Sequence, residues 1–324
     1  MTAPGAVWVY AERHGNAFRP VSLEILGHAR SVADALGVSL VALTVGSGET
    51  PARELSRYGA EEVVAVDHPL LTRYDTKLYT ELLEHELREA DPSVLLIGAT
   101  RDGQDLAGRL AVRLRTGLTA HVTSLEVDEE KRLVGWVPGF GGGIEAGVVC
   151  PHRRPAIVTV RPGVFPEPTP NSSTGALRFV HPSIDSRSFG AQLVDFEPKG
   201  TSVDLTRSEV LVIGGRGTDG DFARLQRLAH RLGGEVGATR VATDSGWVER
   251  ERMVGQTGVV THPKVAVILG ASGAVQFTVG IEKAGFVIAV NRDPDAPIFE
   301  SADLGFVGDL GPIVDRLVTE LGEA

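Results

Sequence analysis

Short stretches rich in glycine and polar residues recur in the second half of the sequence, each directly after a strand-like apolar run. Small residues there leave backbone N–H groups open to close approach by a ligand. Because ligands of open α/β sheets bind at the carboxyl ends of the strands, we expect these stretches to form one site. They are "GGRGTDG" (214–220), "VGQTG" (254–258), "GASGAVQF" (270–277) and "NRDPDAPIF" (291–299).

The stretch 270–277 predicts an anion-binding turn. Ser272 is a suitable N-cap, and we expect Ser272, Gly273 and Ala274 to form the first turn of a short helix. The unpaired N–H groups and the dipole at such a helix start favour a phosphate, although an ordinary capped helix would have the same residues. In residues 254–258, Gln256 and Thr257 offer an amide and a hydroxyl to a ligand, and a plain turn explains them equally well.

The glycines Gly215, Gly217 and Gly220 have the G-x-G-x-x-G spacing of a dinucleotide-binding turn and lie between a strand pattern and a helix pattern. An NAD site also needs an acidic residue about 20 positions further on, at the end of the second strand. Glu235 comes too early and Asp244 lies beyond the strand. A nicotinamide-dependent oxidoreductase is therefore the alternative hypothesis. A flavin dinucleotide and a glycine turn for close packing are the other two interpretations of this turn.

No catalytic motif accompanies these loops. The sequence has no Walker A lysine motif, no G-x-S-x-G elbow and no cluster of histidines or cysteines. The single cysteine, Cys150, and its neighbour His152 are too few ligands for zinc, so we predict a structural role for both and no metal site. The second half is therefore predicted to hold a large nucleotide cofactor without acid–base apparatus of its own.

The elements that position these loops alternate between strand and helix in both halves, which predicts an α/β protein with two doubly wound parallel-sheet domains. We place an N-terminal domain at 1–196 and a Rossmann-like C-terminal domain at 197–324, with a proline-rich exit and linker over 161–200. The segment 121–137 is predicted to be a hairpin. Helices are predicted at 22–36, at 77–89, after Asp105, at 221–232 and at 311–321, the last with Ile313, Leu317, Val318 and Leu321 inward.

Composition narrows the function classes further. The chain has 324 residues and a formal net charge of −10, so a nucleic-acid partner is not expected. One cysteine excludes an internal disulfide and fits a reducing compartment. The N-terminal sequence has no basic region, and no apolar run reaches the roughly 20 residues of a membrane span. We therefore expect a cytoplasmic protein that does not insert into a membrane.

The order of these motifs resembles the alpha subunits of electron transfer flavoproteins. The similarity to their C-terminal domain covers residues 200–322 and rests on "GGRG", "GATRVATDSGW", "VGQTG", "GASGAVQ" and "AVNRDPDAPIFESADLGFVGDL". The first half resembles the family's N-terminal domain through "VYAERHGN", "DLAGRLAVRLRTGLTA" and "CPHRRPAIVTVRPGVF". The resemblance implies that FAD is bound mainly by the C-terminal domain.

The same resemblance implies an electron carrier rather than a stand-alone enzyme. Its partner would be an electron transfer flavoprotein beta subunit in a heterodimer, contacted by the N-terminal domain as a scaffold. Electrons would come from flavin dehydrogenases of the acyl-CoA class and pass to a quinone-linked acceptor. The FAD domain would swivel about the region 195–205 and near the C-terminus to reach these partners.

The FAD-binding residues of the family, carried over position by position, fall on the loops named above. The resemblance implies that Arg240 lies against the isoalloxazine ring and that Thr257 lies near its N5 atom. Thr239 stands where the family usually has serine and keeps the hydroxyl. The complete set implied for FAD is Arg216, Thr239, Arg240, Val254, Gly255, Gln256, Thr257, Ser272, Gly273, Ala274, Val275, Gln276, Phe277, Asn291, Asp309 and Leu310.

Phe277 departs from the family pattern. Family members commonly have histidine directly after Gln276, on the side of the flavin where negative charge develops. Phenylalanine neither donates a hydrogen bond nor carries charge, so we predict a less stabilised anionic semiquinone than in histidine-containing relatives. "FGGGIEAGVVCPHRRP" and "DSGW" are more similar to electron-bifurcating members. A bifurcating complex, fed by NADH and with a second FAD in the beta subunit, is therefore a further hypothesis.

Overall fold

The chain folds into two compact units, Met1–Phe196 and Glu197–Ala324. The computed structural model describes residues 5–15, 17–46, 49–139, 144–166, 168–185, 189–191, 194–195 and 203–322. Each unit contains a parallel β-sheet with helices, which confirms the predicted α/β class. The swivel region predicted at 195–205 falls mostly on residues 196–202, which lie outside this description. No helix in the described ranges is long and apolar enough to cross a membrane.

The described part of the first unit contains three sheets. Its strands are β1 (Val7–Tyr10), β2 (Arg13–His14), β3 (Ala17–Phe18), β4 (Leu40–Val45), β5 (Glu62–Val66), β6 (Val94–Gly98), β7 (Leu118–Val122), β8 (Ser124–Val127), β9 (Leu133–Gly139), β10 (Ile144–Val149), β11 (Ala156–Val160) and β12 (Ala176–Val180). The main sheet is parallel throughout, in the order β12-β5-β4-β1-β6-β11-β7. β1 and β4 are buried along their whole length, as expected for strands covered on both faces.

The helices of the first unit are α1 (Pro20–Leu36), α2 (Glu49–Glu54), α3 (Thr76–Ala90) and α4 (Arg101–Leu114). Helix α4 begins earlier than the predicted start after Asp105, because the Thr100 hydroxyl accepts a hydrogen bond from the Gly103 N–H at 2.9 Å and caps the helix. The predicted hairpin at 121–137 is confirmed, since β8 and β9 pair in antiparallel fashion. β10 extends this pair to a three-stranded sheet.

The proline-rich segment stays with the first unit for much of its length. The Gly163 N–H donates to the Glu24 carboxylate at 2.8 Å, and the ring of Phe165 stacks on His28 with centroids 3.8 Å apart. Further on, β12 pairs in parallel with β5 at the sheet edge. The prediction that 161–200 leaves the first domain is therefore wrong up to Val180. Strand pairing over a distance overrode the local signal of the prolines.

The second unit contains a five-stranded sheet. Its elements are β13 (Val210–Gly214), α5 (Phe222–Arg231), β14 (Glu235–Ala238), α6 (Arg240–Asp244), β15 (Val265–Leu269), α7 (Val275–Thr278), β16 (Phe286–Asn291), β17 (Leu304–Val307) and α8 (Leu310–Glu320). All neighbours are parallel, in the order β14-β13-β15-β16-β17. Apolar clusters lie on both faces of this sheet, one beneath α5 and α8 and the other beside α7.

Helix α8 is turned differently from the prediction. Val314 is fully buried, whereas Leu317 and Leu321 are exposed, so the expectation that both leucines point inward is wrong. Helix α8 packs beside α5 with Val314 in the shared apolar cluster, and Asp315 lies 3.1 Å from Arg224 of α5 in a partly exposed ion pair.

The strand order places the candidate loops together. β13 pairs with β14 on one side and with β15 on the other, so the direction in which successive strands are added to the sheet reverses between β13 and β15. Loops that leave two such strands diverge to opposite faces and open a crevice at the carboxyl edge. The loops after β13 and β15 contain the glycine-rich stretches found in the sequence.

Candidate functional site

The glycines after β13 pack one loop against another. The N–H groups of Gly215 and Gly217 donate to the carbonyls of Leu269 and Gly270, both at 2.9 Å. A Cβ on Gly215 would lie 2.5 Å from the Cα of Ala271, so only glycine permits this crossing.

This use of the glycines removes the basis for the nicotinamide hypothesis. A phosphate cradle needs free N–H groups, and those of Gly215 and Gly217 are already bonded. The start of α5 is also occupied, because the Asp221 carboxylate accepts from the Arg224 N–H at 3.1 Å and caps the helix. Close packing of two loops, the third interpretation of this turn, accounts for the spacing.

The loop after β15 leaves its N–H groups unpaired. Within the described parts of the chain, no hydrogen bond involves the N–H groups of residues 272–276. Gly273 has a left-handed φ of 85°, and a Cβ there would lie 2.2 Å from the Ile298 backbone nitrogen. These consecutive free donors, directly after β15, suit an anion such as a pyrophosphate.

The predicted cap at Ser272 is wrong. Helix α7 begins at Val275, and Ala274 precedes it without a side-chain capping bond. The Ser272 carbonyl instead accepts from the Ile298 N–H at 3.0 Å. This bond and the left-handed turn at Gly273 hold Ser272 in an extended segment ahead of the helix.

The 254–258 loop is joined to α7. The Gln256 N–H donates to the Gln276 carbonyl at 2.7 Å, and a Cβ on Gly255 would lie 2.6 Å from the same oxygen. Val254 is buried, whereas Gln256 and Thr257 are exposed and their side chains make no hydrogen bond within the described ranges. The loop therefore presents an amide and a hydroxyl to the solvent side of the site.

Thr239 and Arg240 lie at the start of α6, after β14. The Thr239 N–H donates to the Gly214 carbonyl at 2.9 Å, and its hydroxyl is buried without a hydrogen-bond partner in the described structure. A buried hydroxyl without a partner costs about 1–3 kcal/mol, which a ligand acceptor would recover. Arg240 is exposed and pairs with Asp244 at 3.2 Å, and Arg216 is exposed in the loop after β13.

The side chains of Asn291 and Asp309 form hydrogen bonds with backbone groups near the candidate loops. The Asn291 side chain donates to the Ala271 carbonyl at 2.8 Å. Asp309 caps α8, because its carboxylate accepts from the Gly311 N–H at 3.1 Å. That N–H, followed by the Arg292 guanidinium at 3.2 Å, lowers the pKa of the Asp309 carboxyl.

Two apolar residues of the predicted set are interior. Leu310 is buried at the start of α8, and its Cδ2 would lie 3.0 Å from a Cβ on Gly270, so it supports the loop crossing. Phe277 is 7% exposed and belongs to the apolar cluster that also contains Val254 and Ile281. Position 277 therefore brings no titratable group to the site.

Sequence reasoning missed the residues that hold the loops in place. Ile298 donates to Ser272, and a Cβ on Gly280 would lie 2.4 Å from the Gly255 nitrogen. Isolated glycines directly after apolar helical residues are the signal that points to such close approaches, and Gly280 has it. No sequence signal points to Ile298, because its backbone N–H makes the hydrogen bond and its side chain takes no part in it.

These observations fit an extended, anionic nucleotide cofactor. Free N–H groups at 272–276 suit its phosphates, the buried hydroxyl of Thr239 needs an acceptor, and the exposed guanidinium groups of Arg216 and Arg240 supply positive charge. The second unit is thus a nucleotide-cofactor-binding domain of the α/β class.

Comparison with known proteins specifies that class. The family model described as the electron transfer flavoprotein domain matches residues 7–182, and the model described as the electron transfer flavoprotein FAD-binding domain matches residues 204–282. The chain belongs to the electron transfer flavoprotein alpha subunit family, and its second unit is the FAD-binding domain. The predicted family and the predicted cofactor are both confirmed.

Relatives cover nearly the whole chain. It is 38% identical to "Electron transfer flavoprotein subunit alpha" of Thermoanaerobacterium thermosaccharolyticum, over 97% of both chains. It is also 38% identical to "Protein FixB" of Clostridium saccharobutylicum, over 98% of this chain and 96% of that one. "Lactate dehydrogenase (NAD(+),ferredoxin) subunit LctC" of Acetobacterium woodii is 36% identical over 97% of this chain and 76% of its own.

Proposed function

We propose that this chain is the alpha subunit of a heterodimeric electron transfer flavoprotein, with an electron transfer flavoprotein beta subunit as its partner. The observation that carries the proposal is the run of unpaired N–H groups at 272–276. The surrounding groups bind and orient a cofactor, and none is assigned an acid–base step. The chain therefore acts as an electron carrier, and the first unit serves as the scaffold that contacts the beta subunit.

The residues around this run have distinct roles toward FAD. The N–H groups of 272–276 hold the pyrophosphate and ribityl region, and the Thr239 hydroxyl donates to the cofactor. Arg240 places positive charge beside the flavin ring and favours its reduced, negatively charged form. Gln256 and Thr257 present polar groups at the ring edge. FAD, when bound, supplies the one- and two-electron redox chemistry.

We infer that the electrons come from flavin dehydrogenases of the acyl-CoA class, as in fatty acid beta-oxidation, and that they leave to a quinone-linked acceptor. Family membership and the FAD-binding second unit support this direction. Reconstitution with an acyl-CoA dehydrogenase tests it. We expect the bound FAD to be reduced when the acyl-CoA substrate is added, and no reduction by any such enzyme would contradict the assignment.

A second candidate is membership of an electron-bifurcating complex. The relative whose name includes NAD(+) and ferredoxin, LctC, favours this version. Counting FAD in the purified heterodimer separates the two candidates. We expect one FAD per heterodimer for a simple carrier and two for the bifurcating form, in which NADH would reduce the complex directly.

Val275→Pro tests the assignment of the 272–276 run. Val275 is the first residue of α7, where proline fits because its φ is preset and the N–H is unpaired. The extended backbone of Ala274, with ψ of 139°, suits a residue before proline. The substitution therefore removes one donor and keeps the fold.

The expected result is a loss of FAD affinity of about tenfold or more, because a hydrogen bond to a charged group contributes about 1.5–3 kcal/mol. The matched control is Val275→Ala, which keeps the N–H and should bind FAD as the wild type does. Affinity is measured by flavin fluorescence in the co-purified heterodimer. Equal affinities of the two variants would show that this run does not hold the cofactor.

A further inference from the structure

The segment that leads into the 254–258 loop is fastened to the outer edge of β14. β14 is the end strand of the second sheet, and Met253 forms a single parallel bridge with its Ala238. The Val254 N–H donates to the Ala238 carbonyl at 2.9 Å. A Cβ on Gly237 would lie 3.0 Å from Cγ2 of Val254, so the segment runs close against the strand. Because a typical strand has about five or six residues, this short pairing is a weak attachment by itself.

The side chain of Arg252 extends this attachment. Its guanidinium donates to the Val236 carbonyl at 2.8 Å and to the Glu235 carboxylate at 3.3 Å, both on β14. On its own segment it pairs with Glu249 at 3.5 Å. The arginine side chain is 18% exposed, whereas those of Glu235 and Glu249 are 43% and 76% exposed. Because exposed ion pairs contribute little, the bond to the backbone carbonyl is the main link between the segment and β14.

The loop beyond this segment closes back on it. The Val259 N–H donates to the Met253 carbonyl at 2.7 Å, directly after the fastened arginine. A Cβ on Gly258 would lie 2.1 Å from the same carbonyl oxygen, so the two ends of the loop are in close contact. A displacement of Met253 from β14 would therefore carry Gln256 and Thr257 with it.

Resting on the proposed function, we propose that Arg252 is a positioning residue for the flavin. By fastening the segment 249–254 to β14, it holds Gln256 and Thr257 at the edge of the ring. Its guanidinium is bonded to the edge of the sheet, so it acts through the loop and not on the cofactor. Polar groups that are held in place before reduction stabilise the developing charge without a cost of reorganisation. Loosening this attachment therefore weakens the stabilisation of the reduced flavin while every FAD-binding group stays in the chain.

Arg252→Met tests the positioning in the heterodimer saturated with FAD. The substitution keeps an unbranched apolar stem and removes the donors. We expect amide hydrogen exchange of Gly255 and Gln256 to become about tenfold faster, because their bonds to the Val259 and Gln276 carbonyls open more often. In a spectroelectrochemical titration, the yield of one-electron-reduced FAD is expected to fall about twofold or more.

Three further variants complete the test. Arg316→Met removes an exposed arginine of α8 that pairs with Glu320 at 3.5 Å, and it should leave both readouts unchanged. Glu249→Gln removes the most exposed ion pair of the attachment but keeps the bond to Val236, so it should also match the wild type. Arg252→Lys keeps one donor for the Val236 carbonyl and should give values between those of the wild type and Arg252→Met. If Arg252→Met does not fold, the lysine variant decides the test by the same two readouts.

Three results would overturn the proposal. Lower stability with unchanged exchange and unchanged yield would show that Arg252 has a structural role only. A lower yield with unchanged exchange would show that its charge acts through space, and faster exchange with an unchanged yield would show that the loop does not influence the flavin. Each of these results leaves the proposed function standing, because all variants are compared with FAD bound. Failure of the wild type to bind FAD or a beta subunit would contradict the proposed function itself.

Discussion

In both parallel sheets the direction of strand addition reverses beside the first strand, at a place called here the switch point. The polar groups at the switch point are hydrogen-bonded to one another in the first sheet, whereas some are left free in the second. In the first sheet, β1 pairs with β4 on one side and β6 on the other, and Glu12 follows β1. Thr100, after β6, donates to the Glu12 carboxylate, and Arg19 donates to it at 3.1 Å. Thr100 also accepts from the Gly103 N–H. The polar groups at this crevice thus satisfy one another.

In the second sheet the corresponding loops leave their donors free. The N–H groups of 272–276 and the hydroxyl of Thr239 have no partner within the described residues. Thr239 is buried, and because buried polar groups are almost always hydrogen-bonded in proteins, its unpartnered hydroxyl points to a ligand. The comparison teaches that the fold supplies the crevice, whereas a few local hydrogen bonds decide whether it receives a cofactor.

Gly273→Ala is expected to have the largest effect of the substitutions that test this difference between the two sheets. The left-handed φ of 85° and a Cβ only 2.2 Å from the Ile298 nitrogen force the loop out of place. We expect the second unit to lose about 2–4 kcal/mol of unfolding free energy and its FAD. Denaturant unfolding and flavin absorbance of the purified heterodimer measure both.

The matched control for that substitution is Gly108→Ala on α4 of the first unit. A Cβ there meets no atom within 4 Å, so the helix should gain up to about 1 kcal/mol. FAD content should stay at the wild-type level. Full FAD occupancy in Gly273→Ala would mean that the 272–276 loop does not bind the cofactor.

Thr239→Val is expected to have the next largest effect. It should stabilise the FAD-free protein and weaken the binding of FAD. Removing an unpartnered buried hydroxyl should stabilise the FAD-free chain by about 1 kcal/mol, while FAD affinity falls about tenfold. The control, Thr218→Val, removes a buried hydroxyl that donates to the Gly215 carbonyl at 2.8 Å and should destabilise the FAD-free chain. Thermal unfolding with and without FAD separates these outcomes. Destabilisation of the FAD-free chain by Thr239→Val would show that its hydroxyl already has a partner.

Most of the fold was predictable because its signals are local. Buried runs such as "VLVIG" and "VAVIL" form strands β13 and β15. The strand–helix alternation predicts the sheet type, and the sheet type predicts that the glycine-rich loops meet at one edge. What failed depended on distant contacts. β12 is a strand because it pairs with β5, and the face of α8 that is buried depends on its packing beside α5, which leaves Leu317 exposed.

The candidate site was predictable in place but not in detail. The sequence predicted the 270–277 turn, yet the backbone bond from Ile298 to Ser272 shifted the helix start to Val275. The closed switch point of the first unit was missed altogether. A single Glu12 after a strand has no pattern around it, and its partners Thr100 and Arg19 become neighbours only in the folded chain.

Phe277→His should produce a smaller, redox-level change. Phe277 lies in an apolar cluster and leaves this position without a titratable or donating group, in contrast to Glu12 in the first unit. An imidazole adds a donor toward the reduced flavin, so we expect a higher yield of anionic one-electron-reduced FAD in a spectroelectrochemical titration. Phe277→Leu is the apolar control and should match the wild type. A wild type that already gives the yield of the histidine variant would contradict the prediction.

Glu12→Gln is expected to have the smallest effect. It should change how the free energy of unfolding depends on pH, and the burial of the Glu12 carboxyl determines the sign of that change. Burial raises the pKa of Glu12 above 4.5, although the hydrogen bond from Thr100 and the charge of Arg19 oppose the rise. The native state therefore holds this proton more tightly than the unfolded chain. Its contribution to stability is complete below about pH 4.5 and is lost as pH rises through the native pKa.

Carboxyls with a lowered pKa, such as Asp309, contribute the opposite slope, and both proteins share them. The difference in unfolding free energy between wild type and Glu12→Gln, measured by denaturant unfolding from pH 4 to 8, therefore isolates Glu12. We expect the wild type to lose stability relative to the variant as pH rises through the native pKa of Glu12. The wild type and the variant should bind FAD with the same affinity, because Glu12 lies at the crevice of the first sheet, whereas FAD is expected in the crevice of the second. A change in FAD affinity would show that the two switch points are coupled, and the contrast between a closed and an open crevice would then no longer describe independent sites.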